Sequence, residues 1–180
     1  MRYIILILAL FLTSCASKNK IFNSPNGNVS LSFISKDTNG EPLYRILTKD
    51  GDELGQVKSI IDAKAVKNVP GLPVEHDIIW SPSGWTALIY ENMSDASPNY
   101  QYVLICLHPD LKSYYAYEAD FGTRHASRED IYGHWPSVGR ISDFEIELNW
   151  QTEPKNETVE ITKLTAGAKS INKDGVVDDR

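Results

Sequence analysis

The chain has 180 residues, with 18 basic and 24 acidic side chains, four histidines and a formal net charge of -6. The length fits one domain behind a short leader. An acidic chain without clustered lysine and arginine argues against nucleic acid, or an anionic membrane surface, as the main partner, since both reward a basic patch. Two cysteines allow at most one disulfide, and a chain of this length can fold on its hydrophobic core without such staples.

The first element in chain order is the leader. Arg2 precedes an uncharged run from Tyr3 to Leu12, shorter than the roughly 20 apolar residues that span a bilayer but the right length for the apolar part of a cleaved secretory signal. Leu12-Thr13-Ser14-Cys15 closes it: a branched aliphatic, two small residues, then cysteine. This pattern resembles the lipobox of bacterial lipoproteins. The resemblance implies diacylglycerol on the Cys15 thiol, cleavage just before Cys15, and acylation of the new amino group, with palmitate as the implied acyl chain. Ala16 after the cysteine, in place of aspartate, implies the outer membrane where the host has two. The alternative is an ordinary cleaved signal with an incidental cysteine. Cleavage after residue 14 leaves 166 residues carrying 17 basic and 24 acidic side chains.

Residues 15–27 are polar and turn-rich and read as a lipidated tether. Residues 28–164 read as the folded domain. Val29, Leu31 and Phe33 alternate with Ser30 and Ser32, the period-2 pattern of a half-buried strand. Turn residues 37–40 lead to a strand over Leu43 to Thr48, and Lys49-Asp50-Gly51-Asp52 leads to Leu54 to Val57. Ile60 to Val69 fits a short helix stopped by Pro70-Gly71. Strands over Val74 to Trp80 and Trp85 to Tyr90 flank Ser81-Pro82-Ser83-Gly84, followed by Tyr100 to His108 and Ser113 to Ala119. Cys106, within Tyr102 to Leu107, reads as a buried small apolar side chain.

Alternation stops from Asp120 to Gly139. It returns at Phe144, Ile146, Leu148 and Trp150, and Val159 with Ile161 completes a hairpin. Residues 165–180 read as a polar, frayed tail. Eight or nine short strands with frequent turns predict an all-β domain, a single antiparallel β-sandwich or an open barrel.

Two further stretches resemble known families. Trp80-Ser81-Pro82-Ser83-Gly84 is similar to the WSPDG turn of periplasmic β-propeller repeats, with Ser83 replacing the aspartate. A propeller needs at least four such blades, so the resemblance implies only a hairpin with a buried tryptophan. Ser24-Pro25-Asn26-Gly27, the strand after it, Gly40, Tyr44 and Gly51 are similar to the start of the N-terminal sandwich of family 97 glycoside hydrolases. That likeness implies a sandwich and a carbohydrate neighbourhood, and it carries no catalytic residue across.

The densest polar stretch is residues 121–139. Arg124, His125, Arg128, Tyr132, His134 and Trp135 form the candidate binding surface, since long loops without regular structure are commonly functional. A histidine beside a carboxylate is a general base, so a small envelope hydrolase using His125 or His134 with nearby Glu129 or Asp130 is the alternative. No HExxH, GxSxG or CxxC spacing is present, and no catalytic residue, metal ligand or cofactor is assigned. Ser170, Asn172, Asp174, Gly175 and Asp178 resemble the first positions of an EF-hand calcium loop. The acid at position 12 is missing, so a glycine turn is the better reading.

The sequence thus predicts a lipid-anchored, all-β cell-envelope protein that binds a protein or glycan partner, with Cys15 as the lipidation site.

Overall fold

The computed structural model describes residues 20–34, 42–59, 75–92, 100–122, 124, 136–150, 156–172 and 174–177. Among them, thirteen strands and one helical turn build three antiparallel sheets, so the chain is all-β as the alternation predicts. Strands β1 (Lys20–Asn23), β2 (Val29–Ile34), β3 (Leu43–Thr48) and β4 (Glu53–Lys58) form a four-stranded meander, sheet I. Strands β5 (Glu75–Trp80), β6 (Thr86–Asn92), β7 (Tyr100–Leu107) and β8 (Tyr114–Ala119) form a second meander. Beyond β8 it gains β12 (Ser170–Asn172) and β13 (Gly175–Val177), making the six-stranded sheet II. Strands β9 (Ser137–Ile141), β10 (Glu145–Asn149) and β11 (Glu157–Glu160) form sheet III, and the helical turn α1 (Ile161–Leu164) follows.

Sheet II lies between the other two. Its first face presents Ile78, Ala87, Ile89, Val103 and Ile105 to Val29, Leu31, Tyr44 and Ile46 of sheet I. Its second face presents Leu88, Tyr102 and Leu104 to Ile146, Leu148, Trp150 and Ile161 on the sheet III side. A strand buried on both faces cannot alternate apolar and polar residues. Val103-Leu104-Ile105 is accordingly an unbroken apolar run, whereas β10 alternates because only one of its faces is covered. Each such side chain contributes about 1.5–3 kcal/mol by leaving water. The expected sandwich is therefore extended by a third layer, and among the described residues no sheet closes into a barrel.

Each sheet begins with a tight hairpin, and the three turns meet. In Ser24-Pro25-Asn26-Gly27, the Gly27 N–H donates to Ser24 O (3.0 Å) and the Val29 N–H to Ser24 Oγ (3.1 Å). In Ser81-Pro82-Ser83-Gly84, the Gly84 N–H donates to Ser81 O (2.9 Å) and the Thr86 N–H to Ser81 Oγ (3.1 Å). Proline at the second position and glycine at the fourth suit this turn. The propeller-like turn thus has a twin in sheet I. Asn26 Nδ2 donates to Ser83 O at 2.6 Å, and a Cβ on Gly84 would strike the Asn26 side chain at 2.7 Å. With φ at +77° as well, position 84 requires glycine. From the third hairpin, Asp143 Oδ1 accepts from Ser81 Oγ (2.6 Å) and Ser83 Oγ (2.7 Å).

Four local readings change. Lys20–Asn23 was expected to be tether and pairs with β2 as an edge strand, too short to show alternation. Ser137 to Gly139, the end of the expected 121–139 loop, belong to strand β9. Its pairing with β10 shifts between Glu147 and Leu148, leaving Gly139 as an extra residue that breaks the two-residue period. Ile161, expected in a strand, opens α1 with its side chain still in the second core. Residues of the expected frayed tail form the β12–β13 hairpin, which joins sheet II through Ile171 opposite Tyr114. There Asn172 Oδ1 accepts from the Asp174 N–H (2.8 Å), and Ser170 is buried. The expected turn at 37–40 and the helix over Ile60 to Val69 lie outside the described residues.

Candidate functional site

The second face of sheet II is only partly covered by the three strands of sheet III. At the seam a groove of about 160 Å³ is lined by Ile79, Tyr90, Tyr102, Ser137 and Val138. Ile79, Tyr90 and Tyr102 come from three neighbouring strands, because each stands on the second face by alternation. Ser137 and Val138 come from β9. The Tyr102 hydroxyl donates to Pro136 O at 2.7 Å and its ring lies 4.9 Å from that of Phe121, so one wall is fixed. Two phenol rings with two aliphatic side chains make an apolar slot with polar tips. The volume suits one side chain or one sugar ring and is well below the few hundred Å³ of a drug-sized pocket.

Of the residues expected to form a binding surface, Arg124 is among those described; His125, Arg128, Tyr132, His134 and Trp135 lie outside them, as does Cys15. The Arg124 guanidinium stacks over the Trp150 ring at 4.1 Å and pairs with Glu157 Oε2 at 2.7 Å. The same Glu157 oxygen accepts from Trp150 Nε1 at 2.8 Å. One carboxylate thus ties the indole and the guanidinium together at the edge of sheet III. Both charged groups are partly exposed, so the ion pair adds little, and stacking on the indole contributes about 0.5–1 kcal/mol. The hydrolase alternative rests on His125 and His134 and so falls outside the described residues.

Three polar clusters could carry chemistry. Ser81 and Ser83 donate to Asp143, but Ser81 is 0% exposed. Its hydroxyl is committed to the turn junction rather than presented to a substrate. Burial would raise the Asp143 carboxyl, but the hydrogen bonds from Ser81, Ser83 and Thr86 outweigh it and hold the group below its ordinary value. Burial pushes the Cys106 thiol up to about 11, with the Thr86 hydroxyl opposing and the Asp143 charge adding to the rise. A thiol so raised is a poor nucleophile at neutral pH, in line with a structural role. Glu91, 1% exposed between sheets I and II, accepts from the Tyr44 hydroxyl (2.9 Å) and the Ser59 hydroxyl (2.7 Å). Burial first, then the Glu91 charge and hydrogen bond, raise the Tyr44 phenol far above its usual value. Tyr44 therefore stays a neutral donor, and the pair pins β3 to β6.

No group of three or more histidine, cysteine, aspartate or glutamate side chains placed to hold a metal ion occurs among the described residues. Sequence reasoning missed the groove because its five residues come from four strands and share no linear motif. It missed the partners of Arg124 because Glu157 lies 33 residues away. Comparison with protein-family models, curated proteins and solved structures finds no significant match, so the candidate site stands on its own geometry.

Proposed function

We propose that this chain is a lipid-anchored cell-envelope protein that acts as a binding or accessory module for an envelope protein or a glycan. Diacylglycerol on Cys15 holds it to the membrane, at the outer membrane where the host has two. The groove lined by Tyr90, Tyr102, Ile79, Val138 and Ser137 receives one side chain or sugar ring of the partner. The observation that supports this reading is that groove. It offers the amphipathic aromatic surface that dominates interface energetics, and among the described residues no cluster beside it is poised for bond making.

The test is in-cell cross-linking from a photoreactive amino acid at Val138, compared with one at Glu145 on the outer surface of sheet III. The expected outcome is one specific partner captured from position 138 and background from position 145. Equal background from both positions would sink the assignment of the groove.

A further inference from the structure

The two outer faces of the stack differ in charge, and the anchor is attached beside only one of them. On sheet I, alternation turns Phe22, Leu31 and Ile46 inward and puts Ile21, Ser32, Arg45 and Gln56 in one cross-strand row on the other face, where Ile21 and Gln56 are exposed, Arg45 is half-buried and Ser32 is covered. Ile21 is 58% exposed, one of two large apolar side chains so placed among the described residues. Arg45 carries the charge of that row and is paired with Glu53, while Lys58 stands outward at the end of β4. On sheet III the outward positions include Glu145, Glu147 and Glu160 against Arg140.

The sequence has the same polarity. The first 36 residues contain no acid, and all 24 acidic side chains lie from Asp37 onward. The net charge of the whole molecule is therefore a poor guide to the surface nearest the lipid.

We infer that the outer face of sheet I, led by the exposed Ile21 on edge strand β1, lies against the headgroup layer of the membrane. The inference rests on lipidation of Cys15. Four residues separate Cys15 from Lys20. A fully extended chain covers at most about 3.6 Å per residue, so Lys20 stays within about 18 Å of the anchored cysteine. The polar layer on each side of a bilayer is several ångströms deep, so this reach keeps β1 close enough to touch it. Of the two outer faces, the one held there is the one without an acidic excess. An exposed isoleucine beside it gains by entering the interface, while the acidic face of sheet III points to solvent.

The test uses the full lipidated protein in vesicles of phosphatidylethanolamine and phosphatidylglycerol, in a Cys106→Ser background. Spin labels are placed at Ile21→Cys or Phe144→Cys, since both side chains are exposed and neither substitution touches a core. Collision with a soluble nickel chelate is compared between anchored protein and the same protein with Cys15→Ser. Anchoring should cut nickel access at position 21 several-fold and leave position 144 unchanged. Vesicle-bound protein with unchanged access at position 21 overturns the docking face but not the anchor. Protein that neither binds vesicles nor carries the diacylglyceryl mass on Cys15 overturns both.

Discussion

Sheets I and III are built by one rule and finish differently. In each, alternate residues face the central sheet: Leu31 and Ile46 on one side, Ile146 and Leu148 on the other. In each, the intervening residues face away. Away from the core, sheet I carries Ile21, Ser30, the Arg45–Glu53 pair, Gln56 and Lys58, nearly neutral and partly apolar, whereas sheet III is rich in glutamate. The contrast teaches that burial constrains only the inner half of each strand. The outer half is free to record what the surface meets.

The two layers also differ in how they are held. Sheet I spreads four strands over sheet II and is pinned by Tyr44 to Glu91 and by the Tyr114 hydroxyl to Gln56 O (2.9 Å). Sheet III has three strands and relies on Trp150 and the turn contact through Asp143.

The largest effect expected concerns the proposed lipidation of Cys15. Cys15→Ser should abolish fatty-acid labelling and leave the leader uncleaved, read as a heavier band in the cell, with the fold intact by circular dichroism. Retained labelling would remove the reason for treating the two outer faces as different. Next comes sheet III. Trp150→Ala removes a buried indole and leaves Arg124 and Glu157 without their third member, at a cost of about 3–5 kcal/mol. Amide exchange should accelerate first in residues 137–160, while β2 and β3 keep their protection. Uniform acceleration would mean that the layers unfold as one.

The smallest effect is at the turn junction. Asp143→Ala should cost about 1–2 kcal/mol, the worth of charge-assisted hydrogen bonds at a partly exposed site. Because the native carboxyl lies below its unfolded value, its contribution is complete above about pH 4 and disappears as the pH falls through the native value. Denaturant titrations across that acidic window should therefore show a shallower pH slope for Asp143→Asn than for the natural chain. Identical slopes would remove Asp143 from the account of how sheet III is held.

Much of the fold was legible where one face of a strand meets water. Phe144, Ile146, Leu148 and Trp150 mark β10 by spacing alone, although Phe144 lies in the turn and is 73% exposed. The run Val103-Leu104-Ile105 identified a strand without revealing that two layers cover it. Strands β1 and β9 escaped notice because four residues at an edge, or five interrupted by a bulge, carry too little periodicity. The groove was not legible at all. The site proposed from sequence rested on residue density in 121–139, and its one described charged member, Arg124, is engaged with Trp150 and Glu157.

By itself the sequence determined the strand alternation, the turns at Ser24–Gly27 and Ser81–Gly84, and the all-β class. It also supplied the lipobox-like end of the leader on which the membrane proposal rests. These are local properties, since side chains on successive residues point to opposite faces whatever lies beyond them. Only the tertiary structure decided that three sheets stack, that Asp143 meets a turn sixty residues earlier, and that tyrosines from β6 and β7 share a groove with β9. Those outcomes depend on contacts between distant segments, chosen by shape and by the hydrogen bonds that buried polar groups must find.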